Sequence, residues 1–487
     1  MCQGYRHGDR CAAQAPVESL AVEPPLAQVA KAVPSPSAQP SPLARHRRRT
    51  ELGLLVLSSL LVAAAYILAS VGKSSRIPTN LVPFLCIVIG LGLVVHLANR
   101  LLAPDSHPVL LPVVALLNGL GYVMIARLDP HEARLQAGWT AVGAIAYVVT
   151  LLLVRRSRDL DRYRYLLLLG GIGLLMLPMV PHVGEDINGA RLWIHVGPIT
   201  GQPVELAKLA LCIFFASYFA EKREMLSMAT VRIGNRLFLQ PRALGPLFLV
   251  WGLTMLVLAA EHDVGFALLI FVLFISLLWL STGRIAWILI GLGLFALGTF
   301  VGSHLFSQVN ERITIWLDPW PYVNNASYQL VQGLYAMGTG GLIGTGLGLG
   351  HPSFVPAVTT DFIFAAFGEE MGLLGTTIIV AAFLLLVGTG FRIAQTARSD
   401  FAKLAAAGLT VVLGLQALFI MAGIVRLLPL TGLTLPFMAY GGSSLVANYI
   451  LVAILARISD EGARSATTPE AMARQIPAMA SGQAGPG

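Results

Sequence analysis

Residues 263–282 read DVGFALLIFVLFISLLWLST, in which one aspartate is followed by a long run without any charge. About twenty apolar residues are what an α-helix needs to cross a hydrocarbon core of about 30 Å. A strand of a membrane barrel would instead alternate polar and apolar residues over about ten positions, and this run does not. It therefore predicts a transmembrane helix.

Runs of similar length and composition recur along the chain. They lie at roughly 52–71, 80–98, 108–126, 137–154, 163–180, 203–220, 243–260, 263–282, 285–303, 365–391, 404–425 and 440–457. Only 12% of the 487 residues are charged and 56% are hydrophobic, whereas soluble domains contain about 25% charged residues. The sequence therefore predicts an all-α polytopic membrane protein with about twelve transmembrane helices.

The two chain ends differ from the rest. Residues 1–49 are rich in alanine and proline and close with the basic cluster RHRRR at 45–49. Because no apolar period is present, we expect a disordered tail there and another over residues 461–487. The basic cluster should hold the N-terminus in the cytoplasm.

The basic residues favour one orientation in the membrane. With the N-terminus inside, the segments 155–164, 221–242 and 392–403 become cytoplasmic, and these are the basic loops. The net charge of +8 is then explained by the positive-inside rule rather than by nucleic acid. An even number of spans also leaves the C-terminus in the cytoplasm. Lys73 and Arg76 fall on the other side, so the first hairpin fits this topology least well.

Two segments on the opposite, extracytoplasmic side are too long to be simple connectors. They are residues 181–202 and, between spans 9 and 10, residues 304–364. Loops longer than about 15 residues are usually functional or disordered, and these two carry Trp, Arg, Asp, Gln and Gly rather than a disordered composition. The active surface is therefore expected on this face.

The first long segment continues into a span as NGARLWIHVGPITGQPVELAK, residues 188–208. A tryptophan at the membrane interface is commonly only an anchor. Glu205 and Lys208 are less ordinary, because residues three apart share a helix face and charges inside a span are costly and usually functional. The candidate binding residues of this segment are Asn188, Arg191, Trp193, Gln202, Glu205 and Lys208.

A short acidic turn, EHDVG at 261–265, joins two predicted spans with almost no loop. Its two carboxylates and its histidine could bind a cation or accept hydrogen bonds from a lipid headgroup. They could equally form an ordinary polar turn. Asp263 is the candidate binding residue of this turn.

The second long segment contains RITIWLDPW at 312–320 and YQLVQ at 328–332. Asp-Pro commonly opens a turn, which is the ordinary explanation of Asp318. However, an arginine and two tryptophans flank this one carboxylate at the outer surface, which suits a site for an anionic, lipid-tethered sugar. The candidates here are Arg312, Asp318, Tyr328, Gln329 and Gln332.

Three further motifs complete the set. GTGGLIGTGLGLG at 338–350 has overlapping Gly-x-Gly patterns, but a dinucleotide fingerprint needs a βαβ unit, so we expect a flexible or re-entrant loop. DFIFAAFGEEMG at 361–372 puts three carboxylates at the mouth of a span. PLTGLTLPFMAYGGSS at 429–444 ends in glycines that permit close helix contact. The candidates in these motifs are Asp361, Glu369, Ser443 and Ser444.

These blocks, in this order, resemble the SEDS family, the RodA, FtsW and SpoVE glycan polymerases of bacteria. The resemblance covers about residues 108–460. Members of the family typically have ten spans, so residues 50–107 look like an added N-terminal transmembrane hairpin. That addition and the RISDE ending at 457–461 are most similar to RodA-type members from high-GC Gram-positive bacteria.

The resemblance implies a reaction, inverting glycosyl transfer between two molecules of lipid II, a lipid-linked disaccharide-pentapeptide, with release of undecaprenyl pyrophosphate. It implies that Asp318 is catalytic and that Trp193 is required. The carboxylate would take the proton of the acceptor hydroxyl, which is a poor nucleophile. Arg191, Arg312, Lys208 or a divalent cation such as Mg²⁺ or Mn²⁺ would neutralise the leaving pyrophosphate.

The resemblance also implies a setting and a partner. The protein would lie in the bacterial plasma membrane, with its active face extracytoplasmic, and would serve elongation or division. No transpeptidase motif of the S-x-x-K type in a soluble domain is present, so cross-linking would fall to a class B penicillin-binding protein. The chain departs from the family where Val204 replaces the usual Ser and where residues 260–266 replace Gln-Pro-Asp-x-Gly-Thr, although Asp263 and Gly265 remain.

Two other functions fit parts of the sequence. A lipid II flippase would use intramembrane charges such as Glu205, Lys208 and Glu369. A non-catalytic membrane scaffold of a wall-synthesis complex would not need Asp318. A flippase needs headgroup contacts at both faces, whereas nearly all the rare polar residues lie outside. We therefore favour a peptidoglycan glycosyltransferase.

Overall fold

The computed structural model describes residues 42–75, 81–187, 190–196, 199–228, 230–233, 236–239 and 241–466. The two predicted disordered tails lie almost wholly outside these residues. Residues 42–49 nevertheless form the first turns of a helix, and residues 461–466 form the last turns of another. Helical structure therefore extends a little way into both predicted tails.

The described part of the chain is mainly helical. Its α-helices are α1 Pro42–Ser74, α2 Leu81–Leu102, α3 Leu110–Leu128, α4 Pro130–Leu153, α5 Ser157–Arg162, α6 Arg164–Met176, α7 Val204–Met228, α8 Pro241–Ala260, α9 Val264–Thr282, α10 Ala286–Leu305, α11 Ser307–Leu317, α12 Tyr328–Gly340, α13 Ile363–Thr396, α14 Asp400–Ile424 and α15 Gly442–Ala466. Its strands are β1 Gly184–Ile187, β2 Ala190–Val196, β3 Ile199–Gly201, β4 Thr230–Ile233 and β5 Arg236–Leu239.

Each of the twelve predicted spans coincides with one of these helices. Within the described residues, eight helices are long and apolar enough to cross a membrane, namely α1, α3, α4, α9, α10, α13, α14 and α15. Helices α2, α6 and α8 contain shorter apolar stretches, and α7 carries the charged pair of the predicted sixth span. The prediction of an all-α polytopic membrane protein is confirmed, and the number of helices that cross remains a prediction.

One boundary shows how the local sequence sets a helix start. The span expected at 137–154 begins earlier, at Pro130. The carboxylate of Asp129 accepts hydrogen bonds from the backbone N–H of His131 at 2.7 Å and of Glu132 at 3.3 Å. An aspartate cap followed by proline is a strong start signal, so the polar residues before the apolar run join the helix.

Both long outer segments have structure of their own. Residues 181–202 contain a three-stranded antiparallel sheet in the order β1-β2-β3, which the sequence did not lead us to expect. Residues 304–364 contain α11 and α12. These elements carry six of the candidate residues, namely Arg191, Trp193, Arg312, Tyr328, Gln329 and Gln332.

The glycine-rich segment at 338–350 turns back onto the start of α13. The backbone N–H of Thr345 donates to the carbonyl of Glu369 at 2.9 Å, and that of Gly346 donates to the carbonyl of Glu370 at 3.0 Å. Three of its glycines, Gly344, Gly346 and Gly348, have φ between +83° and +102°. Residues with a Cβ rarely adopt this region of backbone conformation. The segment is thus held by defined backbone bonds.

Helices α3, α14 and α15 are the most enclosed spans, whereas α10 lies at the edge with most of its side chains exposed. Helix α7 packs against α6, α9 and α14, and α15 packs against α4. Several buried polar side chains lie on these helices, among them Glu205 and Lys208 of α7 and Gln416 of α14.

The N-terminal hairpin packs on the core, and the described residues from 44 onward belong to one compact unit. At one end of the hairpin, Glu51 of α1 pairs with Arg100 of α2. At the other end, Lys73 Nζ donates to the carbonyl of Arg127 at 2.6 Å. At the Glu51 end, the hydroxyl of Tyr147 donates to Oδ1 of Asn99 at 3.0 Å and Nη1 of Arg457 donates to the carbonyl of Leu102 at 2.6 Å. Polar contacts therefore fix the hairpin to the core at both ends.

Candidate functional site

An ion pair between Lys208 and Glu205 lies at the centre of the site. Lys208 is fully buried and Glu205 is 1% exposed. The Lys208 ammonium donates to the Glu205 carboxylate and, at 2.6 Å, to Oε1 of Gln416. Charges inside a span are costly unless they are paired. Glu205 and Lys208 form such a pair, as their spacing predicts.

Gln416 joins this pair to two further parts of the chain. Its Nε2 donates to the carbonyl of Thr434 at 2.9 Å and to Oγ of Ser444 at 3.4 Å. Ser444 also accepts a hydrogen bond from Nδ2 of Asn448 at 3.3 Å. The network thus ties α7, α14 and α15 to the segment 425–441 that leads into α15.

Asp263 lies beside this network at the start of α9. One carboxylate oxygen caps the helix by accepting from the backbone N–H of Phe266 at 2.9 Å, while Oδ2 is buried and has no hydrogen-bond partner among the described residues. Burial raises the pKa of Asp263 to about 6, although the bond from Phe266 and the charge of Arg312 oppose that shift. Asp263 therefore holds a proton more readily than an ordinary aspartate.

Glu261, two residues earlier, is 1% exposed. Neither of its carboxylate oxygens has a hydrogen-bond partner among the described residues. Burial, with a smaller contribution from the charge of Asp263, raises its pKa to about 8. At neutral pH Glu261 is therefore mainly protonated, so this turn carries less negative charge than its sequence suggests.

Arg312 of α11 brings a cation to these acids. Its Nη1 donates to the carbonyl of Leu430 at 2.9 Å, and its charge acts on both Asp263 and Asp361. Asp361 accepts from Oγ1 of Thr360 at 3.0 Å. Burial raises the pKa of Asp361, against hydrogen bonds that include one from Gln329. We use the term polar centre for Glu205, Lys208, Glu261, Asp263, Arg312, Asp361 and Gln416.

Asp318 lies at the rim rather than inside the polar centre. It is exposed, follows directly after α11, and accepts a hydrogen bond from the backbone N–H of Trp320 at 3.3 Å. It comes six residues after Arg312, which is about 9 Å along a helix. One short helix therefore carries a cation toward the polar centre and a carboxylate to its edge.

The end of α11 is fastened to the chain that follows α14. Nε1 of Trp316 donates to the carbonyl of Arg426 at 3.2 Å, and Nε of Arg426 donates to the carbonyl of Trp316 at 2.9 Å. Arg426 Nη2 also donates to the carbonyl of Leu317 at 2.8 Å. These three bonds fix the backbone immediately before Asp318.

Among the candidates of the first outer segment, Trp193 is half-buried on β2 opposite Glu185, and Arg191 is exposed on the same strand. The backbone N–H of Gln202 donates to Oγ of Ser443 at 2.9 Å, which brings the end of the sheet to the start of α15. Asn188 lies outside the described residues.

The remaining candidates lie on α12 and α13. Tyr328 is exposed, and Gln329 and Gln332 are half-buried on α12. Glu369 is placed differently from the other acids, since its Oε1 accepts from the backbone N–H of His351 at 2.7 Å and so holds the end of the glycine-rich segment. Its role in binding substrate remains a prediction.

Several residues of the site were not selected from the sequence. Gln416 could have been found, because a lone amide in an otherwise apolar span is a recognisable signal. Arg426 gave no such signal, since its role depends on backbone carbonyls more than a hundred residues away. Within the described residues, no group of three or more His, Cys, Asp or Glu side chains is arranged to hold a metal ion, and the divalent cation remains a prediction.

Comparison with known proteins gives a consistent set of relatives. The family model described as "Cell cycle protein", FTSW_RODA_SPOVE, matches residues 108–464. The peptidoglycan glycosyltransferase RodA of Mycobacterium tuberculosis is 42% identical over 429 residues, which cover 86% of this chain and 91% of that protein. A probable peptidoglycan glycosyltransferase FtsW of Geobacter sp. is 38% identical over 296 residues, which cover 60% of this chain and 77% of that protein.

Solved structures are similar as well. RodA of Thermus thermophilus matches with a TM-score of 0.51 at 26% identity, covering 72% of this chain and 95% of that chain. A chain from a peptidoglycan synthase complex, described as coordinating polymerisation and crosslinking, matches with a TM-score of 0.59 at 25% identity, covering 72% and 97%. The similarity therefore extends from sequence to fold.

Proposed function

Because the chain belongs to the FtsW/RodA/SpoVE family of cell cycle proteins, we propose that its glycan-polymerising site is formed by the polar centre and Asp318 at its rim. The chain is a peptidoglycan glycosyltransferase of cell-wall synthesis and a multi-pass membrane protein. The glycosyltransferase activity favours an enzyme over the flippase and the non-catalytic scaffold as the function of this chain.

The substrate of this site is lipid II, and the reaction joins two lipid-linked disaccharide-pentapeptides with release of undecaprenyl pyrophosphate. One observation supports the proposal most strongly. Helix α11 places Arg312 near buried acids, and Asp318 is exposed directly after the end of the same helix. A sugar transfer between two anionic lipids needs a base for the acceptor and a cation for the leaving group. Helix α11 supplies both.

Asp318 acts as the general base. Its Oδ1 is used by the backbone N–H of Trp320, whereas no hydrogen bond to Oδ2 is made by the described residues. Oδ2 is thus available for the acceptor hydroxyl. A positioned base typically contributes about 10² to 10⁴ in rate.

Arg312 is the residue best suited to the leaving pyrophosphate. Lys208 is fully buried and already donates to Glu205 and Gln416, so it positions the network rather than meeting substrate. Arg312 is only partly buried and uses Nη1 for one backbone carbonyl, and a guanidinium has five donors in all. Trp193 and Arg191 on the outer sheet would contact the sugar and the phosphates from the other side.

The wider setting follows from the same family. We propose that the site faces the outside of the bacterial plasma membrane, that both termini are cytoplasmic, and that a class B penicillin-binding protein cross-links the strands. The match to a chain of a peptidoglycan synthase complex supports a synthase partner.

Reconstitution tests this function. Purified protein in liposomes, supplied with fluorescent lipid II and a divalent cation, should yield a ladder of glycan chains on a gel, alone or with a class B penicillin-binding protein whose transpeptidase is blocked. Flipping of lipid II without any glycan product in either sample would contradict the proposal.

A further inference from the structure

A crevice runs between α1 and α2, the two helices of the N-terminal hairpin. It is lined by α1 from Leu52 to Ala63, by α2 from Val88 to Leu93, and by Ala115 of α3. Twelve helical residues span about 17 Å, which is roughly half of a 30 Å hydrocarbon core. The crevice therefore extends through about one leaflet of a bilayer.

The walls of the crevice are apolar. Of the two serines that line it, Ser58 bonds to the backbone carbonyls of Leu54 and Pro112. Several lining side chains are exposed, namely Leu52, Val56, Leu60, Ile89 and Leu93, so the crevice opens toward the surrounding hydrocarbon. Such a wall makes dispersion contacts with a hydrocarbon chain that lies along it.

One position shows where a chain would lie, because no atom is within 4 Å of a Cβ built on Gly92. Gly92 also lines an adjoining inner cavity bordered by residues of α2, α3 and α4.

Arginines lie at the end of the crevice where α1 begins. Arg47 donates to the carbonyl of Asp105 at 2.6 Å. Arg49 is exposed, Arg48 has a buried Nε without an acceptor, and no described carboxylate lies within ion-pair distance of either. The charges of Arg47 and Arg48 also act on Arg100, whose own partner is Glu51. Positive charge therefore exceeds negative charge beside the first crevice residue, Leu52.

We propose that this crevice binds one anionic phospholipid, with its phosphate at Arg48 and Arg49 and one acyl chain between α1 and α2 beside Gly92. Clusters of basic residues at the end of a membrane helix attract anionic headgroups. The bound lipid fills the gap within the added hairpin and so forms part of the contact between the hairpin and the polymerase core.

Two glycines of α2 provide a matched test. Gly92→Phe places a ring in the crevice, whereas Gly90→Phe makes the same change about 200° away on the helix, at a glycine that also has no atom within 4 Å of a built Cβ but does not line the crevice. After incubation with vesicles of equal phosphatidylglycerol and phosphatidylcholine, native mass spectrometry should find one phosphatidylglycerol retained by the wild type and by Gly90→Phe. Gly92→Phe should retain at least tenfold less phosphatidylglycerol than the wild type.

The headgroup is tested separately with Arg48→Gln/Arg49→Gln. Two basic residues near a membrane surface are worth about a 30-fold preference for anionic lipid, so this variant should retain the two phospholipids without preference. The double variant also decides the question if Gly92→Phe does not fold. Equal retention by Gly92→Phe and the wild type, equal retention of both phospholipids by the wild type, or displacement of phospholipid by a polyprenyl phosphate would each overturn the proposal.

Discussion

Trp316 and Arg426 bind each other's backbone carbonyl, with Nε1 of Trp316 donating at 3.2 Å and Nε of Arg426 donating at 2.9 Å. The two residues are 110 positions apart in the chain. Their contact fixes the end of α11 against the segment that follows α14. Because Asp318 comes two residues after Trp316, the contact also fixes the proposed base.

Arg426→Gln should weaken polymerisation while leaving the fold intact. The variant loses the hydrogen bonds to Trp316 and Leu317, each worth about 1.5 to 3 kcal/mol when a charged donor is involved. A loosened helix end would misplace Asp318, and we expect roughly tenfold slower glycan synthesis from lipid II. Arg398→Gln, at an exposed arginine outside the site, is the control. Unchanged synthesis by Arg426→Gln would show that the contact does not position the base.

Lys208→Met should be strongly destabilising, because it leaves the carboxylate of Glu205 buried and unpaired. Removal of one member of a buried pair costs about 3 to 5 kcal/mol. The double variant Glu205→Gln/Lys208→Met removes the stranded charge and should recover most of the loss. Thermal unfolding of the purified proteins in detergent measures both. If the double variant is no more stable than Lys208→Met, the unpaired carboxylate of Glu205 is not the cause of the destabilisation.

Stability should fall as the pH rises toward 8, through Glu261. In the unfolded chain a glutamate titrates near about 4.3, whereas in the folded protein burial raises the pKa of Glu261 to about 8. Between these values the folded state binds more protons than the unfolded state, so raising the pH favours unfolding. Glu261→Gln cannot ionise and should show a smaller decline in melting temperature from pH 6 to pH 9. Glu311→Gln, which changes an exposed residue of α11, is the control, and its melting temperature should decline with pH as that of the wild type does.

The topology gives a further prediction. The basic segment 221–242 should face the cytoplasm and the segment 304–364 should face outward, according to the positive-inside rule. A reporter fused near residue 230 should therefore show cytoplasmic activity, and one fused near residue 325 should show extracytoplasmic activity. Finding residue 325 inside would contradict both the topology and the proposed active face.

The helices of the fold could be predicted from sequence because each span meets a local requirement. Backbone groups in hydrocarbon must be bonded within the segment itself, so about twenty apolar residues suffice to mark a helix. The outer sheet is different, since its strands are short. The signal that could have found β2 is the alternation of Arg191, Trp193 and His195 with apolar residues.

The site was predictable only in part, for a related reason. Glu205, Lys208 and Asp263 stood out because charges are rare in and beside apolar runs. Their grouping with Arg312 could not be predicted, because it depends on where α11 docks. The bond from Arg312 to the carbonyl of Leu430 joins residues 118 positions apart, and no pattern in either segment specifies it.

Asp318→Asn tests the central claim most directly. Asparagine keeps the oxygen that accepts from the backbone N–H of Trp320, so the turn, expression and thermal stability should be preserved. Asparagine cannot take a proton from the acceptor hydroxyl, so the initial rate of glycan synthesis from lipid II should fall by about 10² to 10⁴. Glu311→Gln, which neutralises a neighbouring carboxylate on α11, should keep a rate near that of the wild type. A near-normal rate for Asp318→Asn would make Asp318 a turn residue and would contradict the account.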